Sequence, residues 1–426
     1  MLDRDIYEAY LRILIKELKV ALGCTEPIAI AYAGAKVRQI LGEIPDSIRV
    51  FCSGNIIKNV KSVTVPKSGG QKGIEAAAVL GVLGGDPDKE LEVLESVGED
   101  DIKRCKKLLS EGFCECEFVK DVANLYIAIE AVKGSRSASV KIQEYHSNIT
   151  EIRRNGVIIF TKTQNGDSQD DSVPDKKLLN VRQILQFADE VSIDTLRELL
   201  DRQISLNSAI AEEGLNRAYG VEVGRTLLRE YGERNINNLV RAKAAAGADA
   251  RMGGCPLPVV INSGSGNQGI TVSVPIIEYA KFFRIPDEKL YRALIVGNLL
   301  SIHQKRYIGS LSAYCGAVSA ACGSGAGISY LMGMGYPDIC NVITNTINTV
   351  GGMICDGAKA SCAAKVSIAI DAALLAIDLA RNHHAFCEGE GLVSQDIEHT
   401  IAGMGRVGRV GMKPTDEEII KLMLCT

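Results

Sequence analysis

Residues 307–337 read YIGSLSAYCGAVSAACGSGAGISYLMGMGYP, thirty-one positions without one Asp, Glu, Lys or Arg. A run of that length is enough to cross a bilayer, for which about 20 apolar residues suffice. Its makeup argues otherwise: seven Gly and five Ser stand in it, and Ala is the commonest apolar member. Small residues let backbones approach closely, so the run is read as a pair of helices buried inside protein rather than a membrane span. Two further stretches, 252–277 and 339–355, are equally free of charge. Together they call for a mainly helical body with an uncharged interior.

Outward from that interior the pattern changes. Asp86 to Glu151 is dense in Lys, Asp and Glu and holds alternating runs, CECEFVKDV (114–122), LYIAIEAV (125–132) and ASVKIQEYH (138–146), which read as strands of a half-exposed sheet. TQNGDSQDDSVPDKK (163–177) has turn formers and no periodicity, and reads as a surface loop. Beyond it, LLNVRQILQFADEV (178–191), IDTLRELLDRQISLNSAIAEEGL (193–215) and VEVGRTLLREYG (221–232) carry apolar residues at the helical period, and the chain closes on a helical DEEIIKLML (416–424). The fold class expected is α+β: a mainly helical catalytic body over 1–45 and 180–426, with an inserted α/β subdomain over 46–179.

Composition narrows the function. A chain of 426 residues accommodates two or three domains, and 46% hydrophobic with 23% charged residues is ordinary globular usage. The balance of 48 basic against 52 acidic side chains, formally −4, offers no electrostatic footprint for nucleic acid. Trp is absent and Gly reaches 42, so close backbone approach is expected in the core. The opening MLDRDIYEAYLRILIKELKVALG interleaves charges with apolar residues and lacks the regions of a signal peptide. Thirteen cysteines, an odd count without close pairing, fit reduced thiols in a cytoplasm. The partner expected is a small amino-acid substrate, with no membrane and no nucleic acid; self-association into a homo-oligomer is left open.

Chemistry concentrates at cysteine. Cys315 and Cys322 lie in AYCGAVSAACGSGAG, Cys355 and Cys362 in GGMICDGAKASCAAK. Buried cysteine often only packs, but Cys355 precedes Asp356-Gly357-Ala358-Lys359 at an expected helix start, where amides and a Lys favour the thiolate, the metal-binding form. The core has no C-x₂₋₄-C knuckle for zinc, whereas an iron–sulfur cluster draws ligands from separate segments. Three cysteines would leave one iron open as a Lewis acid. In VALGCTEPIAIAYAGAKVRQIL, Gly23 is expected to close the first helix and Thr25 to cap the second, which puts Cys24 at a helix N-terminus, a place that lowers a thiol's pKa, as proton acceptor, metal ligand or plain structural residue. His303, in SIHQKRYIGS, is a candidate to orient substrate or shuttle a proton, with a core role as the alternative; the other four histidines read as surface residues. SGSGNQG and KSGGQKG match no nucleotide fingerprint and read as turns whose amides can hold a carboxylate. Ser53-Gly54-Asn55 with Val63-Thr64-Val65-Pro66 is echoed by Ser265-Gly266-Asn267 with Val272-Ser273-Val274-Pro275; common residues recur by chance, and a true echo would put two Gly-rich turns on one site.

Taken together, Gly23-Cys24-Thr25-Glu26-Pro27, Cys52-Ser53-Gly54-Asn55-Ile56-Ile57-Lys58-Asn59, Gly264-Ser265-Gly266-Asn267-Gln268-Gly269, Cys315-Gly316 and Cys355-Asp356-Gly357-Ala358-Lys359 with Cys362 resemble the L-cysteine desulfidase family, which is related to the α chain of iron–sulfur L-serine dehydratases. The resemblance spans essentially the whole chain, to GEGLVSQDIEHTIAGMGRVGRVGM. It implies a [4Fe-4S] lyase that converts L-cysteine to hydrogen sulfide, pyruvate and ammonia. It further implies that Cys315, Cys355 and Cys362 are the cluster ligands and Cys24 the proton acceptor, and it assigns no ligand role to Cys322. Ser53, Asn55, Asn267, His303 and Lys359 are candidates to hold the substrate's carboxylate and amine. The family more often has Val-x-Ile-Pro-Gly where this chain has Val63-Thr64-Val65-Pro66-Lys67, so an added cation bears on the choice between L-cysteine, L-serine and another β-substituted amino acid. A cluster-bearing sensor without turnover is the competing class, and the Gly-Ser-Asn turns speak against it, since a sensor needs no amino-acid pocket.

Overall fold

The computed structural model describes residues 2–162, 175–309 and 311–424; most of the expected loop 163–177 therefore lies outside the described residues. The chain opens on α1 (Arg4–Glu17), capped by the Asp3 carboxylate at the amides of Asp5 and Ile6, and runs through a short β1 (Val20–Leu22) into α2 (Thr25–Leu41). Then follow β2 (Ser47–Ser53), α3 (Gly54–Val60), α4 (Ile74–Gly84) and α5 (Glu99–Ser110). Strands β3 (Cys114–Val119), β4 (Tyr126–Lys133), β5 (Arg136–Gln143), β6 (Ile149–Arg154) and β7 (Val157–Thr161) complete one sheet of order β3-β2-β4-β5-β6-β7, in which only β2 and β3 run parallel. Alternation explains the half-exposed faces: on β5, Ala138, Val140 and Ile142 are buried while their neighbours are not. Helices α2 and α4 cover the buried face.

The remainder is helical, as an α+β fold requires: α6 (Val181–Glu190), α7 (Ile193–Asn216), α8 (Val223–Tyr231), α9 (Ile236–Met252), a short β8 (Pro258–Val260), α10 (Gly266–Phe283), α11 (Asp287–Ile308), α12 (Gly316–Leu331), α13 (Tyr336–Val350), α14 (Ser361–Arg381), α15 (Ile397–Arg406) and α16 (Lys413–Leu424). Along α7 the buried positions Ile193, Leu196, Leu200, Gln203, Asn207, Ile210 and Gly214 recur every three or four residues, one stripe of an amphipathic helix. The uncharged run 307–337 contains one whole helix, α12, rather than a pair, because α11 ends at Ile308 and α13 begins at Tyr336. Among the described residues no helix is long and apolar enough to cross a membrane.

Close backbone approach is what the small residues provide. A Cβ added to Gly323 on α12 would come within 2.4 Å of the Gly297 carbonyl on α11, and one on Gly297 within 3.0 Å of the Gly323 carbonyl. That contact leaves room for no side chain. Gly323→Ala should therefore destabilise the fold by about 1–3 kcal/mol through overpacking, seen as a lower Tm in a melt. Gly403→Ala, on α15 with no atom within 4 Å of the added carbon, should leave Tm unchanged or slightly raised through helix propensity. Equal losses at the two positions would contradict this account of the packing.

Candidate functional site

Two short backbone ladders bring distant turns together. The first pairs β1 with β8, Val20 opposite Val260 and Leu22 opposite Pro258, and Ile261 N–H extends it by donating to Lys19 O at 2.9 Å. At the end of β1, Gly23 turns the chain with φ +67, so it follows a strand instead of closing α1, which stops at Leu18. Cys24, not Thr25, is thereby the N-cap of α2. The Thr25 hydroxyl stands 2.9 Å from Gly264 O in the turn that opens α10, where Asn262 and Ser265 exchange backbone hydrogen bonds of 3.1 and 3.0 Å. Behind this turn, Asn262 Nδ2 donates to Asn298 Oδ1 at 3.0 Å, Ser301 Oγ donates to Asn262 Oδ1 at 3.1 Å, and Asn298 Nδ2 donates to Gln203 Oε1 at 2.8 Å. All four side chains are fully buried, and a satisfied network of this kind fixes the turn from behind.

The second ladder is the bridge of Tyr314 with Ile354. Cys315 N–H donates to Met353 O at 2.9 Å and Cys355 N–H to Ala313 O at 2.6 Å. Because side chains alternate along a strand, Cys315 and Cys355 leave the ladder on the same face as diagonal neighbours, roughly 7–8 Å apart at Cα. Cys315 is also the N-cap of α12. Cys362 is the second residue of α14, its Sγ 3.7 Å from Gly357 O.

These segments enclose one cavity of about 110 Å³, lined by Cys24, Cys315, Cys355 and Cys362. The N-termini of α2, α10, α12 and α14 all contribute to its wall, and no side chain caps any of the four. Their first amides and the positive ends of their dipoles favour anions in the cavity. Arg251, Lys305 and Lys365 add positive charge. Lys365 is tied to Asp356 Oδ1 at 2.5 Å, while Arg251 and Lys305 have no acidic partner among the described residues. Burial drives Lys305 down to about 8.

Three of the four thiols respond to burial more than to the helix ends. Burial pushes Cys24 up to about 12 against the lowering influence of Arg251, and Cys315 up to about 12, reinforced by Cys355. Cys362 is raised for the same reason. The lowered Cys24 value expected from its helix position is thus reversed, since desolvation of the charged form outweighs the dipole. Glu26 behaves oppositely: burial acts to raise it, but His146, with Arg251 helping, holds it at about 2. His146 Nε2 lies 3.8 Å from Glu26 Oε1, an ion-pair rather than a hydrogen-bond distance.

Of the residues singled out in the sequence, the cavity gathers Cys24, Asn267, Cys315, Cys355 and Cys362. Asn267 Oδ1 accepts from Arg251 Nη1 at 3.2 Å. Ser53, Asn55, His303 and Lys359 are not in its wall; each has a polar partner elsewhere, although Asn55 Oδ1 and His303 Nδ1 are buried without one among the described residues. Ser53 Oγ caps α3 at Ile56 N–H and donates to Asn124 O at 2.6 Å. Asn55 Nδ2 donates to Asp416 Oδ2 at 2.8 Å, beside a buried Lys58–Asp416 ion pair of 2.5 Å. His303 is wholly buried with Nε2 2.7 Å from Glu398 Oε2, and burial lowers its pKa despite that carboxylate. Lys359 Nζ is bound to Asp356, whose other oxygen holds Lys365, and α14 starts at Ser361, six residues after Cys355. Cys322 is buried inside α12, away from the cavity.

The two Gly-Ser-Asn turns do not share a site: each opens a helix, but only 263–268 reaches the cavity, and Val272–Pro275 is helical where Val63–Pro66 is not. Lys67, the added cation, donates to Glu95 O on the surface at 2.5 Å. His146 corrects the reading of four surface histidines, being 9% exposed and in the cavity wall. Glu26, Asn59, Arg251, Lys305 and Lys365 were also missed as site residues; Glu26 and Asn59 stand inside quoted motifs, whereas nothing local distinguishes the three cations from other basic residues.

The serine dehydratase alpha chain family model matches residues 88–421, a span that includes Cys315, Cys355 and Cys362. A UPF0597 protein of Lachnoclostridium phytofermentans is 50% identical over 419 residues, covering 98% of this chain and 100% of its own. Another from Desulfitobacterium hafniense is 49% identical over 98% of this chain and 97% of its own, and one from Treponema denticola 46% identical over 99% of each. With the family match covering most of its length, the chain belongs to the serine dehydratase alpha chain family, whose members are lyase-type enzymes related to the iron–sulfur serine dehydratases.

Proposed function

We propose that the protein is a [4Fe-4S]-dependent carbon–sulfur lyase of the cytoplasm that degrades L-cysteine to hydrogen sulfide, pyruvate and ammonia by non-redox β-elimination. The observation that carries this reading is the convergence of Cys24, Cys315, Cys355 and Cys362 on one cavity walled by uncapped helix N-termini. Cys315, Cys355 and Cys362 are the proposed cluster ligands. Among the described residues no three His, Cys, Asp or Glu side chains gather round a single ion. A cluster asks for something else, one thiolate for each of several irons, and thiols on separate segments around a common space fit that demand. The donor chemistry fits too, because a cation in the cavity displaces the protons that burial otherwise keeps on Cys315 and Cys362, and the surrounding lysines and helix ends offset the thiolate charge.

When bound, the cluster supplies an open iron, a Lewis acid for the departing β-substituent. The chain supplies the rest. Asn267, Arg251 and the amides opening α10 are placed to hold the substrate carboxylate. Cys24 acts in its minority thiolate form, which Arg251 favours against burial, and becomes the neutral thiol on taking the Cα proton onto its sulfur. The Cα–H electron pair forms the Cα=Cβ bond as Cβ–S breaks, and sulfur leaves with the bonding pair. The released aminoacrylate tautomerises and hydrolyses to pyruvate and ammonia. We further propose that the body (1–45 and 180–426) contributes the thiols and the α/β segment (46–179) closes the cavity with Asn59 and His146. Dehydration of L-serine is the second reading, favoured by the family match.

Anaerobically purified protein with a reconstituted cluster should release pyruvate and sulfide from L-cysteine; pyruvate from L-serine at higher kcat/KM would select the second reading, and no turnover of either would end both. Replacing Cys315, Cys355 or Cys362 by Ser should bleach or weaken the cluster's visible absorbance, whereas Cys322→Ser should leave it. A bleached Cys322→Ser beside an intact Cys362→Ser would overturn the ligand set. For Cys24→Ser we expect kcat to fall about 10²–10⁴-fold, the proton-transfer contribution, with the cluster spectrum retained and exchange of the Cα proton with deuterated solvent lost. Unchanged activity would remove Cys24 from the mechanism.

A further inference from the structure

Resting on the reading of the cavity as an amino-acid site, we propose that Glu26, with Asn59 beside it, is the receptor for the substrate's α-ammonium group. Among the described residues Glu26 is the only acidic side chain in the cavity wall. An acid in the first turn of a helix usually complements the dipole from solvent. Glu26 does not have that setting, being 9% exposed. Burying a carboxylate is costly unless partners replace its water. Among the described residues its side-chain partners are Thr25 Oγ1 at 3.1 Å and Asn59 Nδ2 at 3.1 Å, with His146 farther off at 3.8 Å and Arg251 acting at longer range.

The neighbouring acceptors point the same way. Because Glu26 can only accept, Asn59 must present its Nδ2 to the carboxylate, and this fixes its Oδ1 on the other side. That Oδ1 is buried and has no hydrogen-bond partner, as is Gln268 Oε1 in the same wall. Buried acceptors without partners are rare in native proteins and mark where a donor is to come. An ammonium group brings three donors and no acceptor, which suits a carboxylate flanked by unpaired amide oxygens. A carboxylate or thiolate would be repelled there, and the wall already provides Arg251, Lys305 and the helix ends for negative groups.

The test compares L-cysteine with 3-mercaptopropionate, which lacks only the amine, by calorimetry on the anaerobic, cluster-reconstituted enzyme. Glu26→Gln keeps the shape and one acceptor oxygen but removes the charge. It should raise the Kd for L-cysteine about 10–100-fold, the loss of a charged hydrogen bond, and move that for 3-mercaptopropionate less than about 3-fold. Equal shifts for both ligands, or none for L-cysteine, would refute the assignment while leaving the lyase reading intact. Wild-type enzyme that binds neither L-cysteine nor L-serine would instead sink the amino-acid reading itself. Should Glu26→Gln fail to fold, Asn59→Ala serves in its place. It removes one neutral acceptor and should weaken L-cysteine selectively by about 3–10-fold, and an unselective effect counts against the proposal.

Discussion

A helix leaves its first amide N–H groups without partners inside the helix, and in this chain four such ends face one small cavity with no side chain capping any of them. The rest of the architecture serves that convergence. The β1–β8 ladder sets the start of α2 against the turn before α10, and the Tyr314–Ile354 bridge sets the start of α12 against the segment leading to α14. The buried Gln203–Asn298–Asn262–Ser301 network locks the first junction. Around the cavity the helices approach to backbone contact, as at Gly297 and Gly323, and this is why the surrounding sequence is poor in charge and rich in Gly and Ala.

Such a cavity has opposing tendencies. Helix ends and buried cations favour negative charge, while exclusion of water disfavours any charge at all. At the thiols desolvation wins, and Cys24 and Cys315 are held near 12. At Glu26 the contacts with His146 and Arg251 outweigh burial, and a buried carboxylate stays ionised. The site therefore holds one fixed anion, several cations and four thiols, of which Cys24, Cys315 and Cys362 are kept protonated by burial until something displaces the proton. A ligand with both charges, or a group that turns thiols into thiolates, is what such a surface complements.

The cavity also draws its wall from distant parts of the chain. Glu26 and Asn59 come from α2 and α3, His146 from the segment after β5, and the thiols from α2 and from the segments around α12 and α14. The Lys58–Asp416 pair, with Asn55, ties α3 to α16 close by. Asp416 thus uses polar groups of a motif that, in sequence, looked available for substrate.

Much of the fold was legible without coordinates, because its signals are local. The stripe on α7 and the alternation on β5 are set by where consecutive side chains point, and the family motifs brought Cys24, Cys315, Cys355 and Cys362 forward. What the sequence could not decide was occupancy of partners. Whether Ser53 faces substrate or caps a helix, whether Lys359 or Lys365 reaches the cavity, and whether His146 lies outside or within depend on how each is placed against its partner in the folded chain, Asn124, Asp356 or Glu26 in these cases. Ionisation followed the same division: residue type and helix position suggested an acidic Cys24 thiol, and only the packed structure revealed a desolvation large enough to reverse it. Local geometry is written in neighbours along the chain, whereas burial and partner choice exist only once distant segments have closed around one another.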